Sequence, residues 1–173
     1  MPEEVMSRLE TFMEKNAEFL VGDAPGIDSK FQEILKNSGY KKVTVLSSAE
    51  QVRNNLGEWI TRHIDSGLKS NSSARHTAKD RVMTGEAETG VMIWDKESAG
   101  TLANVIDLVD SGKNCILYIA GDNELIEIES HSSLENLLSR YRDVGEEAKN
   151  RLDAYYRRLS KKVHSDLNHS LFE

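Results

Sequence analysis

Two short apolar runs, residues 90–94 (GVMIW) and 115–120 (CILYIA), constrain this chain more than any other feature. A strand with one wet face alternates apolar with polar residues, whereas an unbroken apolar run must be covered on both faces. The segments around these runs carry helical spacing. Residues 2–17 set Val5, Met6, Leu9, Phe12 and Met13 along one helical stripe, with Pro2 at the start and Glu3 and Glu4 in the first turn, where the helix dipole favours anions. Phe19-Leu20-Val21 reads as a strand cut off by GDAPG, and Ile27, Phe31, Ile34 and Leu35 form a second helical pattern that stops at Asn37-Ser38-Gly39. Residues 42–46 (KVTVL) are a further strand. A polar stretch over 47–75 is expected to supply functional loops or a lid. A helix over 77–87 then leads into the first apolar run, a turn (DKESAG), a helix over 101–110 and the second run. Apolar strands alternating with helices predict a parallel sheet between helical layers, a Rossmann-like, three-layer α/β fold.

Past Asn123 the pattern changes. LIEIE is a candidate edge strand, and Leu134, Leu137, Leu138, Tyr141, Leu152, Tyr155, Tyr156, Leu159 and Val163 predict one or two long helices over 133–167. The expected organisation is a Rossmann-like unit over 1–130, with residues 131–173 as a helical extension of the same domain.

Composition narrows the functional classes. At 173 residues the chain is one domain of ordinary size. With 22 Lys and Arg against 29 Asp and Glu, the net charge of −7 excludes a generic nucleic-acid coat protein. The single cysteine, Cys115, excludes an internal disulfide or a cysteine-rich zinc cage, and the histidines lack metal-ligand spacing, so no metal and no cofactor are expected. No run approaches the roughly 20 apolar residues of a membrane span. Glu3 and Glu4 stand where a secretory signal would be basic. The expectation is a soluble, cytoplasmic protein without a membrane partner.

In an open parallel sheet, ligands sit beyond the carboxyl ends of strands, which singles out three segments. In the first, Gly22, Asp23, Pro25 and Gly26 form a turn leading directly into a helix, whose free N–H groups suit a phosphate; the alternative is a plain tight turn. In the second, Ser98, Gly100 and Thr101 open a helix after Asp95, and Asn104 lies one turn further in. These residues can bind phosphate or sugar hydroxyls, or Ser98 and Thr101 can serve as caps. In the third, HTAKDRVM, Lys79 can neutralise a phosphate and Asp80 can accept a ribose hydroxyl, although such charges also suit an exposed helix.

Taken in order, these segments resemble the SLOG superfamily, the Rossmann-like group that joins DNA-processing protein A and the lonely-guy phosphoribohydrolases. LVGDAPGID looks like the strand and phosphate loop SGxARGID of the first branch. HTAKDRVM lies where the second has its RKxxM helix, and MIWDKESAGTLANV where it has PGGxGTxxE. The likeness covers about residues 19–120 and implies a nucleotide ligand. Where the hydrolases use the arginine of RKxxM and the glutamate of GTxxE to cleave a base from a ribose phosphate, this chain has Lys79 and Asn104. An amide cannot act as the carboxylate does. The family also opens on a central strand, whereas this chain opens on the helix that should follow it. The resemblance therefore implies a first strand lacking here, supplied upstream or replaced by a rearranged sheet. Apolar surface left by that strand, and helix pairing in related proteins, make a homodimer the expected state.

Three functions compete. The first is a nucleotide sensor or binding module without efficient turnover. The second is an N-glycosidic hydrolase or transferase acting on nucleoside monophosphates, with Asp80, Asp95 or Asp23 replacing the missing glutamate. The third is single-stranded nucleic-acid binding through Lys149, Arg151, Arg157, Arg158, Lys161 and Lys162, which lie with Tyr155 and Tyr156 on the last helix. The overall acidity disfavours the third.

Overall fold

The structure, a computed structural model, describes residues 1–65 and 72–170, with side chains for 1–65 and 77–161. Helices and strands follow one another as α1 (Glu3–Glu14), β1 (Phe19–Gly22), α2 (Ile27–Asn37), β2 (Val43–Ser47), β3 (Ile60–His63), α3 (Ser72–Glu86), β4 (Thr89–Trp94), α4 (Ala99–Asp110), β5 (Asn114–Ile119), β6 (Glu124–Ile128), α5 (His131–Arg140) and α6 (Arg142–Ser170). This is the mixed, Rossmann-like α/β fold that the apolar runs predict. The strands do not form one continuous sheet. They form two three-stranded sheets, β1-β2-β3 entirely parallel and β4-β5-β6 with β6 antiparallel at its edge.

The apolar runs build the larger core. On β5, Cys115, Leu117 and Ile119 are fully buried, and α4 buries Leu102, Val105, Ile106, Leu108 and Val109 against them. Leu134 and Leu137 of α5 and Ala148 and Leu152 of α6 enter the same core, so the helical extension shares it with the second sheet. Trp94 at the end of β4 is fully buried and meets Tyr141 edge-on, with ring centroids 4.7 Å apart. The first sheet has a smaller core of Val21, Leu35, Val43 and Val45, closed by Phe19, Tyr40 and Trp59.

Helix α1 joins the two sheets. Val5 and Leu9 are buried in a cluster with Tyr118, against which pack Phe19 of β1, Phe31 and Ile34 of α2, and Val91 and Ile93 of β4. Among the described residues β1 pairs only with β2 and β4 only with β5, which leaves one edge of each without a neighbouring strand. Val91, Met92 and Ile93 are accordingly only half-buried, although an apolar run such as theirs suits burial on both faces.

Strand β3 falls inside the polar stretch expected to be loop. Its lone large apolar residue, Ile60, is 77% exposed, and backbone pairing with β2 holds the strand at the edge. Helix α3 begins at Ser72, earlier than the expected 77, and α4 begins at Ala99, directly behind the Ser98 cap.

Candidate functional site

The chain leaves β1 at Gly22, and the next residue is a fully buried carboxylate. Asp23 Oδ2 accepts hydrogen bonds from Ser47 Oγ at 2.7 Å, from the Arg53 backbone N–H at 3.2 Å and from Arg53 Nε at 3.3 Å, while Oδ1 accepts from Arg53 Nη2 at 2.6 Å. Burial alone would push the Asp23 carboxyl up, but the hydrogen bonds from Arg53 and Ser47 outweigh it and hold the group well below the usual carboxylate range. The same turn is tied to the loop after β2 by Asn54 Nδ2, which donates to the Asp23 carbonyl at 2.9 Å. Buried Gln32 of α2 donates to the carbonyls of Gly22 at 2.7 Å and Asn54 at 3.1 Å, and accepts from the Leu56 N–H at 2.9 Å. Residues 53–56 are therefore fastened to the β1 turn. Asp23, expected to bind ligand, here spends its carboxylate on building that loop.

Above Gly22 stands Lys79. A Cβ added to Gly22 would lie 2.6 Å from Lys79 Nζ and 2.0 Å from Asp28 Oδ2, so glycine alone leaves room for both groups. The Lys79 side chain is 6% exposed, and its nearest described carboxylates are Asp28 at 3.7 Å and Asp80 at 3.9 Å, both too far for a hydrogen bond. Asp28, in the first turn of α2, also accepts from the Ala24 N–H at 3.1 Å. Gly26 caps α2 with φ 94°, in the left-handed half of backbone space that glycine enters most cheaply, and no side chain caps the helix. Pro25 and Gly26 are exposed at the mouth of this turn. Gly22, Lys79 and the start of α2, singled out separately in the sequence, thus come together.

The second expected segment is built as a cap. Asp95 Oδ1 accepts from the N–H groups of Ser98 at 2.8 Å and Glu97 at 3.0 Å, and these bonds lower its pKa. Ser98 Oγ caps α4, accepting from the Thr101 N–H at 3.4 Å and from Thr101 Oγ1 at 3.2 Å. Gly100 has space around it; a Cβ there would lie 3.8 Å from Arg151 Nη1 of α6.

Helix α3 touches both halves of the molecule. Lys79 reaches the β1 turn, while Arg81, roughly 200° around the helix, faces α4. Arg81 Nη1 pairs with Asp107 at 2.9 Å and Nη2 donates to Asn104 Oδ1. Asp107 also accepts from Thr84 Oγ1 and, at 2.6 Å, from the Tyr156 hydroxyl of α6. Burial, then the hydrogen bond to Asp107, pushes the Tyr156 phenol up to about 12. Asn104 is thus a member of the α3–α4–α6 seam and a partner of Arg81. Arg81, Asp107 and Gln32 were not anticipated from sequence. An acidic residue inside the apolar stretch VIDLV was the available signal, because such a group is buried only with partners.

Of the six cations on α6, Lys149, Arg151 and Arg157 face Glu146, Glu147 and Asp153 at 3.6, 2.7 and 3.5 Å, and the Lys162 side chain lies outside the described residues. The stripe is thus partly neutralised along its own helix. Among the described residues no group of three or more His, Cys, Asp and Glu could hold a metal ion, and no helix is long and apolar enough to cross a membrane. Comparison with models of protein families, with curated proteins and with solved structures gave no match.

Proposed function

We propose that this chain is a nucleotide-binding protein of SLOG type, a cytoplasmic sensor or binding module that holds phosphate and ribose without efficient turnover. One observation carries the reading: the largely buried Lys79, whose ammonium has carboxylates at ion-pair distance but no hydrogen bond among the described residues, above a side-chain-free Gly22 at the start of α2. A phosphate would offer this ammonium hydrogen-bond acceptors where the α2 dipole already favours an anion. The order of motifs from LVGDAPGID to GTLAN supports the same assignment.

Turnover has weaker support. Asp23 is occupied by Arg53 and Ser47, Asp95 by two turn N–H groups, and Asn104 by Arg81, so each of these candidates already has a structural partner. Asp80, the remaining candidate, lies 3.9 Å from the Lys79 ammonium. The edges of β1 and β4 that lack a neighbouring strand among the described residues, with half-buried apolar residues along β4, support a homodimer, which light scattering tests directly.

The test is a thermal-shift panel of nucleoside mono-, di- and triphosphates beside the matching nucleosides. A ligand that binds only the native state must raise its apparent stability. The reading expects shifts from phosphorylated members alone, with no free base released on prolonged incubation. An equal response to nucleosides would contradict a phosphate-led site, and released base would restore the hydrolase.

A further inference from the structure

We draw no further inference here: the strongest candidate, the surface patch that Tyr156 and Leu159 leave exposed on α6, carries nothing, because nothing in the structure shows what covers it.

Discussion

Arg53 Nη2 lies 2.6 Å from Oδ1 of Asp23, which fastens the loop after β2 to the turn after β1 through a carboxylate with no solvent exposure. The pair gives the first sheet its rigid carboxyl-terminal edge. It ties down residues 53–56, part of the polar stretch expected to supply functional loops or a lid, with Ser47, Asn54 and Gln32 bonded into the same arrangement.

The Asp23 carboxyl is depressed in the folded chain, which fixes the sign of its pH dependence. Its contribution to stability is complete above the unfolded value of about 3.9 and is lost as the pH falls towards the lower folded value. Urea midpoints should therefore show wild type well above Asp23→Asn at pH 7, with the gap closing as the pH drops below about 4. Asp23→Ala, which strands Arg53 and Ser47, should cost about 3 kcal/mol, the lower end for a buried pair because Arg53 is one-third exposed. Parallel pH curves for wild type and Asp23→Asn would contradict the pairing.

Gly22→Ala separates binding from folding. The new methyl would meet only the ends of two flexible side chains, Asp28 and Lys79, and their movement keeps the stability loss to about 1–2 kcal/mol. The same movement displaces the ammonium. Nucleotide affinity should fall by ten-fold or more in titration calorimetry while the melting temperature shifts by only a few degrees. Unchanged affinity would place the ligand elsewhere.

In the α3–α4–α6 seam the variants should rank by what they leave unpaired. Tyr156→Phe removes one hydrogen bond to a charged partner from a side chain that is 46% exposed and should cost about 1 kcal/mol. Asp107→Ala strands buried Arg81 and should cost about 3–5 kcal/mol. Asp107→Asn should also lower the raised Tyr156 phenol from about 12 part of the way, with burial, the larger cause, still in place, which ultraviolet titration reads. Equal costs for the Tyr156 and Asp107 variants would show that Arg81 finds another partner.

Much of this architecture was legible because the physics is local. GVMIW and CILYIA predicted β4 and β5, and the stripes of α1, α2 and α4 showed in their spacing. Strand β3 left no such trace: Ile60 faces solvent and the pairing is made by backbone groups, which no side-chain period records. The division into two sheets depends on which strands become neighbours, a non-local outcome that apolar runs do not encode. In the site, glycines and a lysine marked the place, but chemistry alone did not apportion the roles. Asp23 and Asp95 carry the residue type of a catalytic base, and in the fold both serve turns, whereas Asp107, hidden in an apolar stretch, organises a three-helix seam.

The central claim is that Lys79 is held above Gly22 to meet a phosphate. It is tested most directly by titrating the wild-type chain and Lys79→Met with the nucleotide giving the largest thermal shift. Methionine retains the volume and apolar stem but removes the charge and all three donors. The account predicts saturable binding by wild type and a loss of at least 100-fold in Lys79→Met, with a cooperative melt retained. Equal affinity in the two proteins would contradict it.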